Sequence, residues 1–282
     1  MTLLFILGFA RSGTTVLLNA LNTSADVYLM GEVSIYLRMD APGFRKAVND
    51  QGFSFGNQRT KSTYAPRLKN LGDEASAREY VQEIEKRYRY VGEKIALSHH
   101  HDIIRLDMAL ETEWPDAPMI WTLRRPRFAL ASVDRVLGNG ELRRDINAIA
   151  RTFLFFIDCA RLRRDVFVLV QGQIGRDQFQ FLEKKLIINL EEAADLFNEI
   201  PYDDHSFGRD GEFKELLGRL DVIYDTLISL IDIAKCRIPQ PVLQAEEKLA
   251  TQRGSRGEVS TSGALGIIVR ELMDIVEKTL KI

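Results

Sequence analysis

The sequence predicts an α/β fold in which a parallel β-sheet is flanked by helices. Two observations carry this prediction. Short, nearly uninterrupted apolar runs, typical of strands buried on both faces, alternate with longer segments whose apolar residues recur at helical spacing. The 282 residues are also 45% apolar and 28% charged, which is the composition of an ordinary globular protein with room for a core.

The predicted elements follow one another without an internal repeat or an obvious linker. The first strand, residues 3–7, is bounded by Gly8, and the second strand precedes a basic turn and a helix. We therefore expect one domain with helical insertions over residues 1–282, with polar loops at 40–70 and 251–263 and an irregular stretch at 171–181. Strands are predicted at 3–7, 119–123, 166–170 and 185–190, and helices at 16–21, 75–90, 99–112, 128–136, 143–163, 212–234 and 264–280.

Composition excludes several classes of protein. The formal net charge is −2, so no global positive field favours a nucleic acid or an anionic membrane as partner. Cys159 and Cys236 lack the number and spacing of a zinc site or a disulfide framework, which indicates a reducing compartment. The apolar N-terminus lacks a basic region and reads as a buried strand, and no later window reaches 18 uncharged apolar residues. We expect a cytoplasmic protein.

A glycine turn joins the first predicted strand to the first predicted helix. Gly8 and Gly13 bracket four residues at a point where backbone N–H groups and a helix dipole converge on an anion. This spacing makes the predicted fold P-loop-type, although Thr14 stands where a loop for nucleoside triphosphates needs lysine, and the cation is Arg11 instead. The alternative is an ordinary glycine turn with Ser12 or Thr14 as helix cap.

Two segments carry a resemblance to a known family. The run from Arg11 to Thr15, followed by a leucine-rich helix, resembles the 5′-phosphosulfate loop of sulfotransferases that use 3′-phosphoadenosine 5′-phosphosulfate (PAPS). Arg124 with Ser132 eight residues later is similar to the 3′-phosphate motif of that family, and a guanidinium and a hydroxyl can grip one phosphate from two sides. The resemblance implies that the donor is bound by Arg11, Ser12, Gly13, Thr14, Thr15, Arg124 and Ser132.

Two further segments extend the resemblance in the expected order. Gly92-Glu93-Lys94 resembles the segment with the family's catalytic lysine, which implies that Lys94 neutralises charge on the leaving phosphate. The segment 252–258 looks like a degenerate form of the loop that closes over the nucleotide; it implies that Arg253 and Gly254 bind the 3′-phosphate, although Gln252 departs from the pattern. Arg125, Arg127 and Arg135 could add positive field, assist binding or simply face solvent.

The base that deprotonates the acceptor is predicted to be Glu32. The small-molecule branch of the family uses a histidine two residues after its lysine, and Ala96 occupies that position here. Gly31-Glu32 instead resembles the glutamate of the tyrosylprotein-like and several bacterial branches. His99 is kept as an alternative base, the run 99–101 lacks matching ligands for a metal, and His205 is expected in solvent.

The resemblance implies an enzyme that transfers a sulfuryl group from PAPS to a hydroxyl and releases 3′-phosphoadenosine 5′-phosphate (PAP), without a metal. It implies Glu32, Arg11 and Lys94 as the catalytic residues, in a core formed by 2–36, 91–136 and 248–260. Two alternatives stay open: a catalytically silent PAP- or PAPS-binding protein, and a P-loop kinase that uses ATP and Mg²⁺, which the absence of the loop lysine disfavours.

The acceptor is predicted from one segment only. Residues 53–64 mix aromatic, amide and basic side chains in a predicted loop, which suits a polar hydroxylated acceptor such as a carbohydrate or another small molecule. Peptide tyrosine is the less favoured alternative, because Glu32 resembles the base of that branch. No nucleic-acid or membrane partner is expected.

Overall fold

The computed structural model contains a five-stranded parallel sheet with helices on both faces, which confirms the predicted α/β class. The structure describes residues 3–50, 71–97, 100–137, 141–163, 165–198, 213–243 and 263–281. The strand order is β2-β3-β1-β4-β5, so the first strand lies at the centre of the sheet. The strands are β1 (Leu3–Phe9), β2 (Val27–Gly31), β3 (Tyr90–Leu97), β4 (Met119–Leu123) and β5 (Val166–Val170).

The described helices cover both faces of this sheet. Those N-terminal to β4 are α1 (Thr14–Leu21), α2 (Ile35–Arg38), α3 (Phe44–Asp50), α4 (Ala77–Glu85) and α5 (His100–Thr112). Those that follow are α6 (Pro126–Leu137), α7 (Leu142–Leu162), α8 (Arg176–Leu186), α9 (Glu191–Asn198), α10 (Lys214–Ser229) and α11 (Ala264–Lys281), with a 3₁₀ turn at Ile233–Lys235. None of these described helices is long and apolar enough to cross a bilayer.

Successive side chains of each strand point to opposite faces of the sheet, and this divides the core into two layers. Every residue of β1 is buried: Phe5 and Leu7 point into the larger cluster, which includes α7, α10 and α11, while Leu4 and Ile6 point into the smaller one with α1, α8 and α9. In α7, buried residues such as Ile146 and Phe153 recur at helical spacing and face the sheet. The two cysteines, Cys159 and Cys236, are free and buried.

The central pair of strands approaches closely at one glycine. Gly92 of β3 lies opposite Leu4 of β1, and a Cβ on Gly92 would fall into the Leu4 backbone, 2.8 Å from its carbonyl carbon. Only a residue without a side chain fits at this point. The glycine therefore preserves the register that places the end of β3 beside the end of β1.

Three of the predicted elements are corrected by the structure. The strand predicted at 185–190 is wrong: α8 continues to Leu186, and Ile187 adopts a left-handed backbone with φ 55° that ends the helix. The buried apolar residues of α8, Phe179, Leu182 and Leu186, recur at helical spacing. The helix predicted at 75–90 ends at Glu85, and only the first part of the stretch 171–181 is irregular because α8 begins at Arg176.

Two strands, β2 and β3, were absent from the prediction. β3 carries Glu93 and Lys94 within an otherwise apolar run, and these charged residues conceal its strand character. β2 follows α1 after a short turn and is only five residues long. Both strands position predicted catalytic residues, because Glu32 directly follows β2 and Lys94 lies within β3.

Candidate active site

Those predicted site residues that the structure describes lie toward the carboxyl edge of the sheet. β1 leads into the glycine turn, β2 into Glu32, and β4 into Arg124, while Lys94 lies within β3, opposite the last residue of β2, Gly31. Because all strands are parallel, these ends share one edge, which is where open α/β sheets bind ligands.

The turn after β1 has the geometry of an anion-binding loop. Arg11 and Gly13 have left-handed backbones, with φ 67° and 97°, and a Cβ on Gly13 would collide with the Gln171 side chain. The Ser12 hydroxyl is buried and lies 2.8 Å from the Thr122 hydroxyl. The N-cap residue of α1 is Gly13, with no side-chain cap, so neither Ser12 nor Thr14 satisfies the first amides of the helix. These amides are placed to bind an anion.

The two segments that resemble phosphate motifs contact each other directly. The Arg11 Nε donates a hydrogen bond to the Ser132 hydroxyl at 2.9 Å, and the Arg124 guanidinium donates to the Arg11 carbonyl at 3.1 Å. Arg124 and Ser132 are both buried, whereas Arg11 is exposed. The structure therefore brings together residues that are more than a hundred positions apart and concentrates positive charge next to the turn.

The neighbouring arginines of the basic turn point elsewhere. Arg125 pairs with Asp225 of α10 and lies over the Tyr224 ring, 5.5 Å from its centroid. Arg127 pairs with Asp221, a carboxyl whose burial raises its pKa while Arg127 opposes that shift. These two arginines anchor the start of α6 to α10. The side chain of Arg135 lies outside the described residues.

Glu32, directly after β2, forms an ion pair with Lys94, which lies within β3. The strand register aligns Gly31 with Lys94, the Glu32 N–H donates to the Lys94 carbonyl at 2.9 Å, and the Lys94 ammonium bonds the Glu32 carboxylate. The Lys94 side chain is buried, whereas that of Glu32 is 41% exposed and can reach an incoming molecule. The pair places an acceptor of protons beside a fixed positive charge.

Sequence reasoning missed two polar residues at this edge. Gln171 directly follows β5; its N–H donates to the Leu123 carbonyl at 2.7 Å, and its buried side-chain oxygen, which lies against Gly13, has no hydrogen-bond partner among the described residues. A polar residue directly after a buried strand is the signal that could have identified it. The second is Glu93, a fully buried carboxyl in the apolar run of β3.

A small apolar cavity lies beside the start of the glycine turn. It has a volume of about 30 Å³ and is lined by Phe9 and Ala10 of the turn, by Leu97 and by residues of α6 and α7. Small-molecule sites usually occupy at least about 300 Å³, so this cavity does not hold a nucleotide or a sugar ring.

Several predicted residues lie outside the described part of the chain. These are Arg253, Gly254, His99, His205 and the acceptor segment 53–64. Within the described ranges, no group of three or more histidine, cysteine, aspartate or glutamate residues is arranged to hold a metal ion.

Comparisons with known proteins identify a family and a fold for this chain. A family model described as "Sulfotransferase family" matches residues 4–155, which include the turn, Glu32, Lys94, Arg124 and Ser132. Among solved structures, the chain is similar in fold to the sulfotransferase domain from the Synechococcus PCC 7002 olefin synthase, with a TM-score of 0.52 and 16% identity over 80% of this chain and 94% of that domain. A search of curated proteins finds no match.

Proposed function

Because the chain belongs to the sulfotransferase family, whose model matches more than half of its length, we propose that it transfers a sulfuryl group from PAPS to a hydroxyl of an acceptor. The observation that supports PAPS as the donor is the contact between two anion-binding segments, in which Arg11 bonds Ser132 and Arg124 bonds the Arg11 carbonyl. A donor with phosphates at two ends needs two such segments side by side.

The residues fit the two ends of this donor differently. The amides of Gly13 to Thr15 at the start of α1 and the Arg11 guanidinium suit the 5′-phosphosulfate, whereas the Ser12 N–H donates to the Phe9 carbonyl within the turn. The buried Arg124 and Ser132 suit the 3′-phosphate. A 3′-phosphate would accept charge-assisted hydrogen bonds from Arg124 and Ser132 that a nucleotide without this phosphate cannot form, so the two residues favour PAP over AMP. Thr14, in place of the loop lysine, disfavours ATP. Arg253 and Gly254 are proposed to complete the 3′-phosphate site.

Glu32 and Lys94 are proposed to handle the proton and the developing charge. PAPS, when bound, supplies the activated sulfuryl group. Glu32, with its partly exposed carboxylate, takes the proton from the acceptor hydroxyl as the oxygen attacks. Lys94 and Arg11 stabilise the negative charge that builds on the leaving phosphate. The chemistry requires no metal ion from the protein.

The acceptor is proposed to be a carbohydrate or another small hydroxylated molecule, with peptide tyrosine less favoured. This proposal rests on the composition of residues 53–64. If it is right, altering that segment changes acceptor selectivity and leaves PAP binding intact, whereas unchanged selectivity would contradict it. The two free cysteines support the further proposal of a cytoplasmic location.

The deciding experiment is calorimetric titration with PAP, AMP, and ATP with Mg²⁺. We expect selective binding of PAP, and a loss of roughly 10- to 100-fold in affinity for Arg124→Ala, the usual effect of truncating one charge-assisted partner. Arg125→Ala is the matched control, because this adjacent arginine pairs with Asp225 and should leave PAP affinity unchanged.

Other outcomes identify the alternatives. ATP binding without preference for PAP would overturn the proposal in favour of a kinase. PAP binding without PAPS turnover on a panel of hydroxylated acceptors would indicate a catalytically silent binding protein. Glu32→Gln, which removes the proposed base while preserving its shape, should abolish any turnover and retain PAP binding.

A further inference from the structure

A second carboxyl lies next to the Glu32–Lys94 pair. Glu93 precedes Lys94 on β3, so the two side chains point to opposite faces of the sheet. The Glu93 side chain is fully buried, and its Oε2 accepts a hydrogen bond from the N–H of Ile35 at 2.9 Å. Its Oε1 has no hydrogen-bond partner among the described residues. A buried carboxylate with one unsatisfied oxygen is costly, so the neutral acid is favoured.

Glu93 holds the same short segment that presents Glu32. Between β2 and α2, Glu32 and Ser34 both have left-handed backbones, with φ 55° and 56°, which residues other than glycine adopt rarely. This turn is tied down at both ends: the Glu32 N–H donates to the Lys94 carbonyl, and the Ile35 N–H donates to Glu93. Two consecutive residues of β3 therefore determine the backbone that positions the proposed base.

The charged groups around Glu93 come from two elements. Burial is the main cause that raises the pKa of Glu93 to about 8; hydrogen bonding from the backbone of Ile35 and Ser34 opposes it, and the charge of Glu32 adds to it. Arg38, from the same segment as Glu32, has the smallest effect and lowers the pKa. The nearby phenol of Tyr36 has its pKa raised by burial and by the charges of Asp102 and Glu93, with Arg105 opposing.

We propose that Glu93 is a positioning residue for Glu32: its buried carboxyl holds a proton in the resting protein and fixes the turn from Glu32 to Ile35. The inference rests on the proposed role of Glu32 as the base. A neutral Glu93 satisfies the Ile35 amide without placing a second negative charge beside Glu32. An ionised Glu93 would be a buried, uncompensated charge that repels the Glu32 carboxylate and weakens the turn.

The test is a pH titration followed by NMR, on protein labelled with ¹³C at glutamate carboxyls and ¹⁵N at backbone amides. We expect one carboxyl to titrate near pH 8, and the amides of Glu32 and Ile35 to shift with the same midpoint. In Glu93→Gln this titration should disappear from all three signals. Glu32→Gln should lower the midpoint, because it removes a neighbouring negative charge that raises the pKa of Glu93. Glu111→Gln, which alters an exposed carboxyl of α5, is the matched control and should change none of the three signals.

The inference is wrong if every glutamate carboxyl ionises below pH 6, or if the amides of Glu32 and Ile35 do not follow the Glu93 midpoint. Should Glu93→Gln fail to fold, the wild-type and Glu32→Gln titrations decide, because they observe Glu93 itself. Repeating the wild-type titration with excess PAP separates the two proposals. Absence of PAP binding would overturn the proposed function while the titration of Glu93 and its coupled amides still stands.

Discussion

The buried carboxyl of Glu93 should make the stability of this protein depend on pH in a way that one substitution removes. In the folded chain its pKa is raised from 4.5 to about 8 by burial, so over this window the folded state binds one proton more than the unfolded state. Stability from this group is therefore fully present below pH 4.5 and is lost as the pH rises through 8. The glutamine in Glu93→Gln cannot ionise, so the stability of this variant does not fall for this reason as the pH rises.

The size of the effect follows from the difference between the two pKa values. One extra bound proton corresponds to about 1.4 kcal/mol per pH unit, so between pH 5 and pH 7 the wild-type protein should lose roughly 2–3 kcal/mol relative to Glu93→Gln. Urea denaturation of both proteins at half-unit intervals from pH 5 to pH 8.5 measures this difference. The other titrating groups are common to the two proteins and cancel in the comparison, apart from the coupling of Glu93 to its neighbours Glu32 and Arg38.

Two outcomes are informative. A gap that widens with pH up to about 8 and then levels off supports a proton on Glu93 in the folded state. Parallel curves for the two proteins would refute the reasoning, because they would mean that Glu93 ionises equally in the folded and unfolded chains. Glu111→Gln controls for the loss of one carboxylate from the exposed surface of α5.

Three further predictions follow from local geometry. Gly92→Ala should destabilise the fold by about 3 kcal/mol or more, seen as a lower Tm, because its Cβ meets the Leu4 backbone; an unchanged Tm would contradict the close approach. Gly13→Ala should weaken PAP binding at least tenfold in calorimetry while far-UV circular dichroism stays native, because φ 97° strains an alanine. Asp221→Asn should cost about 1–2 kcal/mol in urea denaturation by breaking the Arg127 pair, and equal stability would indicate that the pair is dispensable.

Much of the fold was readable from the sequence because the information is local. Apolar runs such as 119–123 and 166–170 are strands buried on both faces, and the helical spacing in 143–163 matches α7 closely. The glycine turn could be predicted for the same reason, because the left-handed backbone at position 13, with φ 97°, itself favours glycine. Where local signals conflicted, as in the apolar run 185–190 at the end of α8, the prediction was wrong.

The chemistry of the candidate site was also readable as residue types, but not as an arrangement. Arg11, Glu32, Lys94, Arg124 and Ser132 could be named from their segments. Local sequence did not show that Arg124 turns toward the glycine loop while the adjacent Arg125 turns toward α10. Those directions depend on partners a hundred residues away, which only the packed chain brings near.

The sequence by itself therefore determined the class of fold, the anion-binding turn and the candidate donors and acceptors of protons. Tertiary structure alone decided the register of β3 between β1 and β2, and with it the pairing of Lys94 with Glu32 and the burial of Glu93 behind them. The physical reason is that a strand side chain points to one face or the other according to its register. Register is set by pairing and packing with distant segments, and not by neighbours along the chain.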